Sequence, residues 1–156
     1  MTKTNKQTVA VVGAGNWGKN LVRNFHELGV LKAVSDKNSD SLKQMQKLYP
    51  SCDFYSSLKD VLSRDDIAGV AIATPAETHF LLAREALLSG KHVFVEKPLT
   101  LSEKDAIELI ALAQKNNLVL MVGHRVITGL ASPLGMGWSS RNSLPCQPHF
   151  GHLPSN

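Results

Sequence analysis

Cysteine is scarce in this 156-residue sequence, which contains only Cys52 and Cys146 and no C-x-x-C spacing. Neither a disulfide framework nor a zinc site is therefore expected. His149 and His152 lie near Cys146, but no carboxylate follows in this part of the chain, so we expect no metal site there.

Long hydrophobic runs are also missing, since no apolar stretch approaches the roughly 18 residues of a membrane-spanning helix. The first residues, MTKTNKQ, lack the apolar core of a signal peptide. We expect a cytoplasmic protein with no membrane partner.

Clusters of basic residues are absent as well, although the formal net charge is +4. Lysine and arginine are scattered among acidic residues and never form a run of five or six. We interpret them as solvated surface and expect no nucleic-acid partner. The hydrophobic fraction of 43% and the charged fraction of 19% are typical of a globular protein. The chain length suits one hydrophobic core better than two.

The composition changes at His124. Before this residue the chain has 15 lysines and arginines and 13 acidic residues, whereas after it there are two arginines and no acid. Residues 125–156 contain four glycines, four prolines and five serines, and they show no apolar periodicity. We therefore predict a folded domain over residues 1–124 and an irregular or disordered tail over residues 125–156.

Residues 1–124 alternate short β-branched runs with amphipathic helical segments. That order predicts an α/β protein with a doubly wound parallel sheet of the Rossmann type, about six strands wide. The predicted strands are residues 9–12, 31–35, 53–55, 69–73, 92–95 and 118–122. The predicted helices cover about residues 17–28, 39–49, 58–62, 77–88 and 102–116.

Two helices allow more detailed predictions. The first has one apolar stripe, followed by Gly29 as a C-terminal cap. This stripe consists of Trp17, Leu21, Val22, Phe25 and Leu28. The last helix begins at Ser102, with Asp105 three residues further on, which is similar to a capping box.

The sequence GAGNWG, which starts at Gly13, is a G-x-G-x-x-G motif directly between the first predicted strand and the first predicted helix. In this setting Gly13 makes the tight turn, Gly15 lets the backbone approach a pyrophosphate, and Gly18 lets the helix pack close to the sheet. The backbone N–H groups of about Asn16 and Trp17 are expected to face the anion, at the positive end of the helix dipole. The motif in this position predicts a dinucleotide site.

Asp36 follows the second predicted strand, 18 residues after Gly18. At this position of the fold an acidic side chain accepts hydrogen bonds from the hydroxyls of the adenosine ribose. A 2′-phosphate about 4 Å from that carboxylate would meet repulsion of up to roughly 4 kcal/mol at an effective dielectric near 20. We therefore expect NAD, with NADP disfavoured, although the neighbouring Lys37 opposes this preference.

Other interpretations of these residues stay open. The glycines alone could simply end a strand, and Asp36 alone could be a turn or capping residue. Flavin and S-adenosylmethionine also bind at glycine-rich first turns, and Asp36 does not exclude them.

Three further segments follow predicted strands, at the edge where ligands of open parallel sheets bind. They are Thr74 with Pro75, Glu96 with Lys97 and Pro98, and Gly123 with His124. Thr74 either bonds a ribose or phosphate or caps the helix that Pro75 begins. Lys97 either donates to a substrate oxygen or exchanges a proton with it, or it faces solvent and pairs with Glu96. His79 is either functional or a surface histidine. The candidate cofactor-binding residues at this edge are Thr74, Pro75, His79, Glu96 and Lys97.

These motifs resemble the Gfo/Idh/MocA oxidoreductases over residues 8–124. The resemblance rests on the motif that starts at Gly13, on Ala73-Thr74-Pro75 with His79, and above all on EKPL at residues 96–99. The run from Trp17 to Phe25, together with Gly123-His124, is most similar to the branch that oxidises UDP-N-acetylglucosamine or its uronic acid at C3.

The resemblance implies an NAD-dependent oxidoreductase that moves a hydride from a sugar or sugar-nucleotide carbon to nicotinamide. It also implies that Lys97 is the catalytic lysine, which polarises or protonates the reacting oxygen, and that Pro98 follows a cis peptide bond. Members of this family continue into a second domain that supplies most substrate contacts, and 32 residues are too few to replace it.

We therefore interpret the chain as truncated and expect the isolated chain to be inactive. Residues 125–156 are then an unrelated extension or a sequence read in a shifted frame. The alternative function is that of a non-catalytic nucleotide-binding fragment. Apolar surface left uncovered by the second domain would favour self-association.

Overall fold

The computed structural model describes residues 7–123, in which strands and helices alternate along the whole length. The strands are β1 (Val9–Val12), β2 (Leu31–Ser35), β3 (Asp53–Tyr55), β4 (Gly69–Ile72), β5 (His92–Val95) and β6 (Leu120–Val122). The helices are α1 (Gly18–Glu27), α2 (Ser39–Leu48), α3 (Leu58–Leu62), α4 (Ala76–Leu88) and α5 (Glu103–Lys115). None of these five helices is long and apolar enough to cross a membrane. The predictions for residues 124–156, including His124 and the tail, lie outside the described residues.

All six strands form one parallel sheet in the order β3-β2-β1-β4-β5-β6. The strands β1 and β4 are neighbours, with Val12 opposite Ile72, although two strands separate them in sequence. The chain therefore builds one half of the sheet outward from β1 and then returns to build the other half outward from β4. Ligands of such sheets bind outside the carboxyl ends of the strands at this switch point. The predicted Rossmann fold is confirmed.

The central strand is buried on both faces, because helices cover both sides of the sheet. Ala10 and Val12 belong to a core layer that also contains Leu87 of α4 and Leu109 of α5. Val11, which points the opposite way, belongs to a second layer with Val22 of α1. Burial on both faces explains why the central strands β1 and β4 are continuous apolar runs without polar alternation.

Helix α1 is shorter than its apolar stripe. The helix begins at Gly18 and ends at Glu27, so Trp17 and Leu28 flank it as the N-cap and C-cap residues. These two residues are 55% and 68% exposed, so both ends of the predicted apolar stripe lie outside the helix and are not buried. Gly29 has a φ of 65° and ends the helix as predicted.

Several other boundaries and one helix cap differ in detail from the predictions. Strand β4 ends at Ile72, one residue early, and β6 begins at Leu120, two residues late. Ser102 is the N-cap of α5, but its side chain makes no capping hydrogen bond, so the predicted capping box does not form. Negative charge is instead present in the first turn at Glu103 and Asp105, where it interacts favourably with the helix dipole.

An ionic cluster lies at the opposite edge of the sheet, near the amino ends of the strands. Arg64 donates to carboxylate oxygens of Asp53 and Asp66, each at 2.6 Å, and to the Tyr55 hydroxyl at 2.7 Å. The hydrogen bond from Arg64 lowers the pKa of Asp66. The buried Lys91 donates through Nζ to the Arg64 carbonyl at 2.6 Å. This cluster connects β3 to the segment before β4, away from the candidate site.

Candidate functional site

A cleft of about 1090 Å³ lies at the carboxyl ends of β1, β2 and β4. Six of the predicted site residues line it, and they come from three separate turns that follow these strands. These residues are Gly13, Gly15, Asp36, Lys37, Thr74 and Pro75. The structure therefore brings the glycine turn, the acid and the turn after β4 to one cavity, as the topology requires.

The three motif glycines differ in what surrounds them. A Cβ at Gly13, whose φ is +92°, would lie 2.8 Å from the Ala73 carbonyl oxygen. A Cβ at Gly18 would overlap the carbonyl of Gly13 and lie 2.7 Å from its carbon atom. A Cβ at Gly15 would meet no heavy atom of the described residues within 4 Å. The chain itself therefore requires Gly13 and Gly18, whereas the space above Gly15 is open to a ligand.

The carboxylate of Asp36 is fixed against the glycine turn. Its Oδ2 accepts a hydrogen bond from the Ala14 backbone N–H at 2.6 Å, and its Oδ1 accepts one from the Asn38 N–H at 2.7 Å. A carboxylate oxygen accepts more than one hydrogen bond, so both oxygens remain able to accept a ribose hydroxyl. Asp36 is thus held in one orientation beside the glycine turn.

The turn after β4 has its own hydroxyl chain. Thr78 Oγ1 donates to the Pro75 carbonyl at 2.7 Å, and Thr74 Oγ1 lies 2.7 Å from Thr78 Oγ1. Because the one hydroxyl proton of Thr78 is used on Pro75, Thr74 donates and Thr78 accepts. The N-cap position of α4 is Pro75, without a side-chain capping bond. Thr74 therefore does not cap α4, and its oxygen retains acceptor capacity at the cleft.

The helices α3 and α4 supply a wall that sequence reasoning missed. Ser56, Ser57 and Leu58 line the cleft at the start of α3, and Leu82 and Glu85 line it from α4. The only local signal was Ser57, whose hydroxyl caps α3 by accepting from the Lys59 N–H at 3.2 Å. No motif relates these residues to the glycine turn, since their position depends on how the helices pack.

Three predicted motif residues, Asn16, Trp17 and Gly18, and one histidine lie outside the cleft lining. Asn16 and Trp17 are exposed and immediately precede α1, whose first turn is joined to the motif by a bond from Lys19 N–H to the Gly15 carbonyl at 3.0 Å. His79 is buried, with 1% of its surface exposed. The alternative that His79 is a surface histidine is therefore wrong, because the first turn of α4 faces the neighbouring Pro98 segment.

The segment after β5 presents Lys97 to solvent. Lys97 is exposed, it is joined to Pro98 by a cis peptide bond, and none of the ion pairs among residues 7–123 links it to Glu96. Glu96 approaches the end of β6, since a Cβ at Gly123 would lie 3.1 Å from its Oε2. The ends of β5 and β6 therefore lie together, beside the cleft and not in its lining. No group of three or more metal-ligating side chains occurs in the described part of the chain.

Comparisons with known proteins agree with this geometry. Residues 7–124 match the family GFO_IDH_MocA, described as "Oxidoreductase family, NAD-binding Rossmann fold". UDP-N-acetylglucosamine 3-dehydrogenase from Acidithiobacillus ferrooxidans is 33% identical over 114 residues, which are 73% of this chain and 36% of that protein.

Solved structures show the same similarity. GenD2 from gentamicin A biosynthesis, in complex with NAD, has a TM-score of 0.72 and 30% identity, over 76% of this chain and 34% of that one. The WlbA dehydrogenase from Chromobacterium violaceum, in complex with NADH and UDP-GlcNAcA, has a TM-score of 0.72 and 27% identity, over 78% and 36%. The chain spans about a third of the length of these curated relatives.

Proposed function

The chain belongs to the Gfo/Idh/MocA family of oxidoreductases with an NAD-binding Rossmann fold, and we propose that residues 7–123 form the dinucleotide-binding part of a sugar or sugar-nucleotide dehydrogenase. The reaction would oxidise a hydroxyl-bearing carbon of the substrate. NAD, when bound, supplies the hydride acceptor of such a reaction.

The observation that carries this proposal is the open space above Gly15. The other two motif glycines are needed by the chain's own backbone, but a Cβ at Gly15 would touch none of the described residues. A bare backbone at the mouth of a cleft, directly before a helix, is what a pyrophosphate requires for close approach. The cleft volume of about 1090 Å³ leaves room for the rest of a nucleotide.

Asp36 supports the choice of NAD. Its carboxylate is oriented by two backbone N–H groups and lies at the glycine turn, where it would accept hydrogen bonds from the ribose hydroxyls. A 2′-phosphate at about 4 Å would be repelled by up to roughly 4 kcal/mol at an effective dielectric near 20. Lys37 and Lys59 also line the cleft and reduce this repulsion, so we expect a preference for NAD and not an absolute selection.

Lys97 is proposed as the catalytic lysine. It follows β5, the strand beside β4, and its exposed ammonium group can donate a hydrogen bond to a substrate hydroxyl oxygen or exchange a proton with it. When the hydride leaves the carbon, the hydroxyl proton has to pass to a base, and the ammonium form of Lys97 would polarise the oxygen by donating a hydrogen bond to it.

The proposed substrate class is drawn from the relatives. One is named as a UDP-N-acetylglucosamine 3-dehydrogenase, and another was solved with UDP-GlcNAcA. Since this chain spans about a third of the curated relatives' length, we propose that substrate contacts beyond Lys97 belong to the part of such proteins that it does not span.

Calorimetric titration of the 156-residue chain with NAD, NADP and S-adenosylmethionine tests the proposal. We expect NAD to bind, NADP to bind more weakly and S-adenosylmethionine not to bind. Gly15→Val should abolish NAD binding because its side chain fills the space of the pyrophosphate. Asp36→Ala should reduce the difference in affinity between NAD and NADP, since the charge that repels the 2′-phosphate is removed.

Thermal unfolding of each variant is the control for folding. Gly15→Val should melt close to the unmodified chain, because its side chain enters open space. If the Gly15→Val chain is folded and still binds NAD with unchanged affinity, the dinucleotide assignment fails. Tighter binding of S-adenosylmethionine than of NAD would also overturn it.

A further inference from the structure

His79 is the least exposed of the buried ionisable side chains in residues 7–123, with 1% exposure. It lies in the first turn of α4, and its two ring nitrogens point to backbone carbonyls of two different segments. Nδ1 is 2.7 Å from the Pro98 oxygen, and Nε2 is 2.8 Å from the Thr74 oxygen. Both distances are typical of strong N–H···O hydrogen bonds.

The chemistry of these partners determines the protons on the ring. A carbonyl oxygen accepts hydrogen bonds but has no proton to donate, and a neutral imidazole carries only one N–H. Two hydrogen bonds to two carbonyls therefore require a proton on each ring nitrogen. Burying a cation costs free energy, and a carbonyl acceptor for each N–H group offsets part of that cost.

The two carbonyls belong to the two parts of the site. Thr74 lines the cleft beside the glycine turn, since a Cβ at Gly13 would lie 2.9 Å from Thr74 Cγ2. Pro98 directly follows Lys97, which lies beside the cleft and outside its lining. The imidazole of His79 thus directly connects the Thr74 turn, which lines the cleft, to the segment that carries the proposed catalytic lysine.

We propose that His79 is a positioning residue whose imidazole, protonated on both ring nitrogens, clamps the Lys97–Pro98 segment to the turn at Thr74. Its role toward Lys97 rests on the proposed function, whereas the clamp itself does not. His79 acts through two backbone carbonyls, so it contacts neither the dinucleotide nor the reacting oxygen.

Nitrogen NMR of the ring gives the direct test. The chain is labelled with ¹⁵N-histidine, and the His79 signals, assigned by their loss in His79→Gln, are recorded at about pH 7 without ligand. We expect both ring nitrogens to show the shifts of N–H groups. His92 is an internal reference, since its Nδ1 accepts from the Val119 N–H at 3.0 Å and must lack a proton. One unprotonated nitrogen on His79 would overturn the clamp.

The effect on the site is measured with NAD. In the unmodified chain we expect NAD to shift the backbone amide signal of Leu99, which follows the clamped segment. In His79→Gln this shift should disappear, and the Kd should rise about tenfold because the Thr74 turn, which lines the cleft, loses one of its hydrogen bonds. His26→Gln, at an exposed position of α1, is the matched control and should change neither quantity.

The outcomes separate the two proposals. If the unmodified chain does not bind NAD, the proposed function fails, and the ring spectrum still decides on the clamp. If His79→Gln does not fold, the His79 signals are assigned by elimination, from single Gln variants of the other five histidines, and the ring spectrum of the unmodified chain still decides. A folded His79→Gln chain that keeps both the Leu99 shift and the Kd would overturn the positioning role.

Discussion

Gly13, Gly15 and Gly18 are chemically identical, and only their surroundings give them different tasks. The motif predicts a turn, a close ligand approach and a helix contact from spacing alone. The structure supports the first and third directly, because side chains at Gly13 and Gly18 would collide with backbone atoms. The second task remains a prediction, since its counterpart is a ligand.

Gly18→Ala is therefore expected to damage the fold. The new Cβ would overlap the Gly13 carbonyl, and backbone atoms cannot move aside as a flexible side chain does. We expect a loss of more than about 3 kcal/mol in the free energy of unfolding, measured by urea denaturation. Gly15→Ala is the matched control and should lose less than about 1 kcal/mol. Equal stability of the two variants would contradict this account of the motif.

His79 shows what a single residue's sequence context does not reveal. Its position after Thr74 and Pro75 made it a candidate, but whether it faced solvent or a ligand was undecided. The answer depends on Pro98, which is 19 residues away and reaches His79 only because β4 and β5 are neighbours in the sheet. A contact of this kind follows from packing and has no local signal.

At the scale of the elements, helix starts also show which features the local sequence predicts and which depend on the folded structure. Asn38 and Ser102 are both N-cap residues of a type that favours capping. The side chain of Asn38 accepts from the N–H groups of Asp40 and Ser41, whereas that of Ser102 makes no capping bond. The sequence predicts both helix starts correctly, but the capping bond depends on the local backbone and the rotamer.

Replacing each of these two caps by alanine tests the difference. Asn38→Ala should lower the free energy of unfolding by about 1 kcal/mol, the usual loss for a capping side chain, and Ser102→Ala should lower it by less than about 0.5 kcal/mol. Chemical denaturation of both variants under one condition provides the comparison. An equal loss in both would show that Ser102 caps α5 in solution.

The strands were predictable to a greater degree than the wall of the cleft. Four of the six predicted strands have the observed bounds, because each is a short run in which apolar and aromatic residues predominate, with turn-forming residues near its ends. The wall at Ser56, Leu58 and Leu82 was not predictable in this way. These side chains have ordinary sequence contexts, and they meet at the cleft only because α3 and α4 pack on the same face of the sheet.

At the scale of the whole molecule, the two edges of the sheet have different tasks. The amino edge carries Arg64 with its acidic partners, which are mutually satisfied. The carboxyl edge carries Gly15, the oriented Asp36 and an open cleft. A parallel sheet permits this separation, because all its strands end at the same edge and their loops meet there. The proposed cofactor site therefore lies at the carboxyl edge of the sheet.

Catalysis by the 156-residue chain is a different matter from cofactor binding. Lys97 is exposed to solvent and lies outside the cleft lining, so the described residues do not exclude water from its ammonium group. We expect NAD at about 100 times its Kd to raise the free energy of unfolding by about 2.7 kcal/mol.

In a turnover assay at the same NAD saturation, with UDP-N-acetylglucosamine added, we expect the absorbance to show no NADH formation above background. Lys97→Ala should bind NAD equally well, because the lysine does not line the cleft. NADH formation by the unmodified chain that is lost in Lys97→Ala would show that these residues suffice for the reaction.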